Sequence, residues 1–249
     1  MPEMSSAPDG VLEAAAPPAL LQVRDLNGWY GEGHVLHGIA FDVREGEVVT
    51  LLGRNGAGKS TTLKAIMGLL PKRSGSVRFR DRELIGLPAR AIARAGIAFC
   101  PEDRGIFASL SVEENLMLPP KVQEGGLTVE QVFELFPNLL ERLSSSGTKL
   151  SGGEQQMLAI GRILRTGAKL LLLDEPTEGL APVIIQQIGA TIARLKREGF
   201  TIVLVEQNFH FAAGVADRHY VVDQGKVVDM IPNDELASNL DKLKAYLGV

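Results

Sequence analysis

The chain has 249 residues, of which 45% are hydrophobic and 22% are charged, as in an ordinary globular domain. Its formal net charge of −4 gives no general basic field that would favour nucleic acid, and its single cysteine excludes an intrachain disulfide. No apolar run approaches the roughly 20 residues of a membrane-spanning helix, and the N-terminus lacks the basic start and apolar core of a secretory signal.

The N-terminal part of the chain predicts a tail followed by a hairpin. Residues 1–19 are rich in Ala, Pro and Ser and predict a disordered tail, which leaves 20–249 as the folded domain. Leu21–Tyr30 and Val35–Val43 alternate between apolar and polar residues, as strands do, and a glycine-containing turn separates them.

A phosphate-binding loop follows, with the sequence GRNGAGKS at Gly53–Ser60. It stands between an apolar run typical of a buried strand, Val48–Leu52, and a stretch with helical spacing, Thr61–Leu70. Glycines let the backbone N–H groups of such a loop converge on a phosphate, and the helix dipole favours the same anion. Lys59 would reach the terminal phosphates and the Ser60 hydroxyl would ligate Mg²⁺. The residues predicted to bind nucleotide here are Gly53, Arg54, Asn55, Gly56, Ala57, Gly58, Lys59, Ser60 and Thr61.

The middle of the chain predicts two strands and then a helical region. Ser76–Arg80 and Ile97–Cys100 are the strand candidates. Residues 112–146 are mostly helical in pattern, with breaks at a Pro-Pro pair and a Gly-Gly pair.

The segment LSGGEQ at residues 150–155 opens the next predicted helix. Ser151 followed three residues later by Glu154 is the pattern of a capping box. Leu158, Ile160, Ile163 and Leu164 would then form its buried face.

A pair of acids ends the apolar run Leu170–Leu173. Acids at the end of a buried parallel strand reach the edge of the sheet where α/β proteins bind ligands. Asp174 would hold Mg²⁺ through water, and Glu175 would act as the general base that polarises the attacking water. A solvated turn before Pro176 is the simpler alternative, which the phosphate loop upstream makes weak.

The remainder of the chain alternates between helical and strand patterns, which predicts βα units and a parallel sheet. The predicted elements are Val183–Arg197, Thr201–Val205, Phe209–Ala216 and His219–Asp223.

The phosphate loop, LSGGEQ and the Asp-Glu pair, in this order, resemble the motifs of ATP-binding-cassette (ABC) ATPases. This resemblance implies an α/β fold of the P-loop NTPase type, with a mixed-sheet core, a small antiparallel β subdomain and a helical subdomain at about residues 100–165. It also implies that Ser151, Gly152 and Gly153 contact ATP bound by a second ATPase subunit. Tyr30 occupies the position of the aromatic residue that stacks on adenine, with a role in the core as its alternative and Trp29 as the substitute.

Three departures from the general ABC pattern narrow the resemblance. Glu102 stands where a glutamine usually contacts Mg²⁺, Gln207 replaces the usual switch histidine, and Ala181 replaces an aspartate. Together with the terminal AYLGV, they are similar to the second ATP-binding subunit of branched-chain amino-acid importers, with urea and amide importers close behind. Glutamine donates a neutral hydrogen bond but carries no proton, so hydrolysis would lean on Glu175 alone or be slower than at a partner's site. The predicted catalytic residues are Glu175, Lys59 and Gln207.

The resemblance implies a peripheral ATPase at the cytoplasmic face of the inner membrane, with ATP and Mg²⁺ as ligands. Its expected partners are permease subunits, contacted around residues 102–118, a second ABC ATPase subunit and, indirectly, a periplasmic solute-binding protein. No nucleic-acid partner is expected. The alternatives are a lipid exporter ATPase, a slow regulatory cassette, and an ABC ATPase of translation or DNA repair. The last usually has two cassettes or a coiled-coil insertion, and neither is seen in this sequence.

Overall fold

A computed structural model describes residues 18–248, so most of the predicted N-terminal tail lies outside the described residues. Ala19, which was assigned to that tail, already belongs to the first strand. The described strands are β1 (Ala19–Tyr30), β2 (Gly33–Arg44), β3 (Val48–Leu52), β4 (Lys72–Phe79), β5 (Arg82–Glu83), β6 (Ile97–Cys100), β7 (Leu170–Asp174), β8 (Thr201–Glu206), β9 (Arg218–Asp223) and β10 (Lys226–Pro232).

In the sequence, most of the helices lie between strands of the larger sheet and connect them. They are α1 (Lys59–Ile66), α2 (Ala89–Arg94), α3 (Val112–Met117), α4 (Val129–Leu135), α5 (Pro137–Glu141), α6 (Gly152–Leu164), α7 (Pro182–Arg197), α8 (Phe209–Val215) and α9 (Leu240–Leu247). Short 3₁₀ turns cover Gly147–Lys149 and Asn233–Asn239.

Two sheets organise the described part of the chain. The larger has the order β10-β9-β3-β8-β7-β6, parallel from β9 to β6 and antiparallel between β9 and β10. The smaller is antiparallel, with the order β2-β1-β4-β5. The central strands β3, β7 and β8 are buried along their whole length, as their continuous apolar sequences predict.

The apolar core lies on both faces of the larger sheet. One cluster joins the two sheets to α1, and another joins the opposite face to α6, α7 and the helices between β6 and β7. Among the helices of residues 18–248, α3, α4 and α6 begin with a capping box, and the one at Ser151 and Glu154 was predicted.

Some element bounds differ from the prediction. The helix predicted to reach Leu70 ends at Ile66, because Gly68 adopts a left-handed conformation with φ of 72°. Leu70 is nevertheless buried, so its apolar character reflects packing after the helix. The strand predicted at Ser76–Arg80 begins earlier, at Lys72. Strands β5 and β10 and helices α2 and α9 were not predicted.

Candidate functional site

The phosphate loop connects β3 to α1 and has the backbone conformation that its glycines permit. Gly56 and Gly58 have φ of 80° and 106°, which non-glycine residues rarely adopt. A Cβ atom on Gly53 would lie 2.2 Å from the carbonyl oxygen of Val222, so that position requires glycine. Gly58 is the N-cap of α1 and has no side chain to cap it. The first N–H groups of α1 therefore face the loop, where an anion would bind.

Lys59 is buried inside this loop. Its Nζ donates to the carbonyl oxygens of Gly53 at 2.9 Å and Arg54 at 3.1 Å. The same Nζ lies 3.4 Å from Oε1 of Glu175, and both side chains are less than a tenth exposed. The predicted phosphate ligand and the predicted general base thus meet directly across the site.

Ser60 and Asp174 also meet, although they are far apart in the sequence. The Ser60 hydroxyl donates to Oδ1 of Asp174 at 2.8 Å, while Oδ2 is buried without a hydrogen-bond partner. Burial raises the pKa of Asp174 to about 6, against the lowering effect of the Ser60 bond. A hydroxyl and an unsatisfied carboxylate oxygen side by side are hard oxygen donors of the kind that Mg²⁺ takes. The residues present therefore fit this ion.

Glu102 lies in the loop after β6 and is exposed. Its negative charge contributes to the raised pKa values of Asp174 and Glu178, so it faces the same acidic cluster. Within residues 18–248, no group of three or more His, Cys, Asp or Glu side chains is arranged to hold a metal ion. Ser60 and Asp174 are placed to hold Mg²⁺ together with phosphate oxygens and water, and the role of Glu102 as a further ligand stays a prediction.

Glu175 is held between two loops at the end of the sheet. Its backbone has φ of 46°, in the left-handed region, and its N–H donates to the carbonyl oxygen of Val205 at 3.0 Å. The Gln207 amide donates to Oε2 of Glu175 at 3.0 Å. Gln207, predicted at the switch position, therefore contacts the carboxylate of the predicted base.

The two aromatic candidates for adenine stacking differ in their surroundings. Tyr30 ends β1 and is 47% exposed. Trp29 stacks on His34, with ring centroids 4.4 Å apart, and Lys72 lies 4.9 Å from the Trp29 ring centroid. One face of Trp29 is thus covered, which favours Tyr30 as the residue available to a base.

The LSGGEQ segment lies at the N-terminus of α6. Ser151 is exposed and accepts a hydrogen bond from the Glu154 N–H at 3.3 Å. Gly153 packs on α7, where a Cβ atom would lie 3.0 Å from the Ile184 side chain, and Gly152 lies near the Arg104 guanidinium. No hydrogen bond or ion pair between described residues joins Ser151, Gly152 or Gly153 to the phosphate loop. Its expected contact with ATP bound by a second subunit stays a prediction.

One buried contact beside Glu175 was missed by the sequence analysis. The hydroxyl of Thr177 donates to Oε1 of Glu206 at 2.7 Å, and both side chains are buried. Burial raises the pKa of Glu206 to about 7. The signal available in the sequence was a carboxylate in the last position of a strand whose preceding residues favour burial.

Exposed apolar side chains follow Glu102 along the chain. Phe107, Met117 and Leu118 are 51%, 60% and 47% exposed. The Arg162 guanidinium lies 5.0 Å from the Phe107 ring centroid. No helix in the described part of the chain has the length and apolar character needed to cross a bilayer.

Comparisons with known proteins extend these observations. The profile of the ABC transporter family matches residues 36–178. The branched-chain amino acid transport ATP-binding protein BraG of Pseudomonas aeruginosa is 46% identical, over 92% of this chain and 100% of BraG. The lipopolysaccharide export system ATP-binding protein LptB of Escherichia coli is 33% identical, over 92% of this chain and 98% of LptB. A solved ATP-binding subunit of an ABC transporter, 31% identical, superposes with a TM-score of 0.77, covering 92% of this chain and 100% of that subunit. The fold prediction is confirmed.

Proposed function

Because the chain belongs to the ABC transporter family, whose ATP-binding subunits hydrolyse ATP, we propose that it drives the import of branched-chain amino acids or related small solutes. The observation that carries this proposal is the 46% identity to BraG, which extends over the full length of that protein. Glu102, Gln207 and Ala181, the three departures from the general ABC pattern, point to the same branch.

The contacts around the phosphate loop support a division of roles in ATP hydrolysis. Lys59 neutralises the terminal phosphates, and Glu175, 3.4 Å from its ammonium, orients and polarises the attacking water. Gln207 holds the Glu175 carboxylate from the other side. Ser60 and Asp174 would hold Mg²⁺, which would supply charge neutralisation at the phosphate oxygens. Tyr30 stacks on the adenine.

A second ATPase subunit completes each site. Ser151, Gly152 and Gly153 have no described polar contact with the phosphate loop of their own chain, so they are free to bind the γ-phosphate held by a partner. ATP then bridges the two subunits, and loss of the γ-phosphate lets them separate. This cycle of closing and opening is the conformational change that would drive transport.

A permease would contact the chain at the segment between residues 102 and 118, and the conformational change would pass to it there. The segment begins at the acidic cluster, through Glu102, and continues to the exposed side chains of Phe107, Met117 and Leu118. Exposed apolar side chains within one short stretch of the chain favour a protein contact over solvent. If Glu102 moves when nucleotide binds or leaves, this segment would transmit the movement to the permease at the cytoplasmic face of the membrane.

Lipid export is the second candidate, because LptB is 33% identical over nearly its whole length. The two candidates differ in what stimulates the ATPase. We would reconstitute the chain with the permease and ATPase subunits encoded beside it, and measure ATP-dependent uptake of labelled leucine with the cognate periplasmic binding protein. Uptake that depends on ATP, and is lost with Glu175→Gln, supports the proposal. No uptake of leucine, isoleucine or valine, with ATPase activity stimulated by lipid, would overturn it.

A further inference from the structure

A buried hydrogen bond joins the loop that carries Glu175 to the last residue of β8, directly before Gln207. It runs from Oγ1 of Thr177 to Oε1 of Glu206 and is 2.7 Å long. Thr177 is 5% exposed and Glu206 is 3% exposed. A carboxyl group is costly to bury, and an apolar residue would fill the end of β8 at lower cost. Packing alone therefore does not explain Glu206.

Among the described residues, three hydrogen bonds connect the segment after β7 with the end of β8 and Gln207, and this bond is one of them. Strands β7 and β8 are parallel neighbours, with Asp174 paired to Val205, so the loops that follow them run side by side. The Glu175 N–H bonds the Val205 carbonyl oxygen at 3.0 Å, and the Gln207 amide bonds the Glu175 carboxylate at 3.0 Å. The Thr177–Glu206 bond lies beyond them, in the buried interior. The two loops are thereby fastened into one unit.

Glu175 needs such support because its own backbone is strained. A φ of 46° is unfavourable for a residue with a side chain and persists only where the surroundings hold it. Thr177 follows Glu175 by two residues, and Glu206 directly precedes Gln207. The buried bond therefore acts on both residues that set the position of the Glu175 carboxylate.

We propose that Thr177 and Glu206 are positioning residues for ATP hydrolysis: their hydrogen bond keeps the Glu175 carboxylate in the place from which it orients the attacking water. The inference rests on the proposed role of Glu175 as the general base. Burial raises the pKa of Glu206 to about 7, and the negative charge of Glu175 contributes to the rise. The two carboxyl groups therefore interact electrostatically, as expected from the hydrogen bonds that hold their segments side by side.

The test uses the assembled transporter and separates turnover from ATP affinity. Thr177→Val removes the hydroxyl and keeps the shape, so kcat should fall about 10- to 100-fold while ATP affinity stays at the wild-type value. Thr177→Ser restores the hydroxyl and should restore kcat. Glu206→Leu should behave like Thr177→Val. Glu206→Gln should retain turnover, because a hydroxyl can donate to the amide oxygen or accept from the amide nitrogen.

Thr191→Val is the matched control. Thr191 is also 5% exposed, and its hydroxyl bonds the Gln187 carbonyl oxygen at 2.9 Å within α7. Wild-type kcat in Thr177→Val, an equal loss in Thr191→Val, or a loss of ATP affinity that matches the loss of kcat would each overturn the proposal. Wild-type kcat in Glu175→Gln would overturn both this inference and the assigned base. A loss in Glu175→Gln with none in Thr177→Val would overturn the positioning role alone.

Discussion

Gln207 donates its side-chain amide to Oε2 of Glu175 at a distance of 3.0 Å. The other oxygen of that carboxylate, Oε1, lies 3.4 Å from the Lys59 ammonium. Phosphates that enter the loop would compete with Glu175 for Lys59, while the bond to Gln207 involves no phosphate. The replacement of a switch histidine by glutamine therefore leaves a neutral donor that can hold the base through the cycle.

Gln207→Ala should lower the ATPase rate of the assembled transporter by about tenfold, the effect of one hydrogen bond. Gln207→His should preserve the rate or raise it, because a histidine can also donate to this carboxylate. Steady-state ATPase assays of the two variants decide the question. A wild-type rate in both Gln207→Ala and Glu175→Gln would place hydrolysis at the partner's site, with this subunit only closing and opening.

Glu175→Gln should keep ATP affinity near the wild-type value and lower turnover by roughly 10²- to 10⁴-fold, because shape is retained and the base is lost. ATP should then hold the variant in a stable complex with its partner subunit. Size-exclusion chromatography with and without ATP measures this complex. ATP-independent association, or turnover equal to that of the wild type, would contradict the assignment of Glu175.

Lys59→Ala should weaken ATP binding about 100-fold, because it removes a buried charge that faces the phosphates. Lys196→Ala is the control, since Lys196 forms an ion pair with Asp217 on another part of the surface. Equilibrium binding of a fluorescent ATP analogue gives both affinities. Equal affinity in Lys59→Ala and the wild type would exclude this loop as the phosphate site.

The sequence predicted most of the fold because its signals are local. The apolar runs Val48–Leu52 and Ile97–Cys100 form strands with the predicted bounds, because an unbroken apolar run is a signal that is local in the sequence. The helix predicted to reach Leu70 ends at Ile66. The prediction was too long because a residue buried after a turn leaves the same apolar pattern as a residue buried on a helix. Strand β10 has alternating exposure at the edge of the sheet and gave a weaker signal.

The candidate site was predictable where motifs fix it and not where tertiary contacts do. The positions of Lys59, Ser60 and Asp174 could be expected from the phosphate loop and the strand end. The link between Thr177 and Glu206 joins residues 29 positions apart, and only the pairing of β7 with β8 brings them together. The contact of Gln207 with Glu175, rather than with solvent, depends on the same pairing.

Met117→Asp should weaken assembly with the permease at least tenfold, about the cost of one charge in an apolar contact, without changing ATP affinity. Met230→Asp is the matched control, because Met230 is also an exposed methionine but lies on β10. Co-purification of the permease with each variant measures assembly. Equal recovery with both variants would place the permease contact elsewhere on the chain.

Glu206→Gln should make stability less dependent on pH. Folding raises the pKa of Glu206 from 4.5 to about 7, so between these values the folded chain binds more protons than the unfolded chain. The wild type therefore loses stability as the pH rises through this window, by ~3 kcal/mol at most, and glutamine removes that loss. The free energy of unfolding of the variant, relative to that of the wild type, should rise with pH up to about pH 8 and stay constant above it. Denaturant unfolding of both proteins across this range gives the difference in the free energy of unfolding. A difference that does not change with pH would mean that Glu206 titrates alike in the folded and unfolded chains, and its carboxyl would then carry no burial cost.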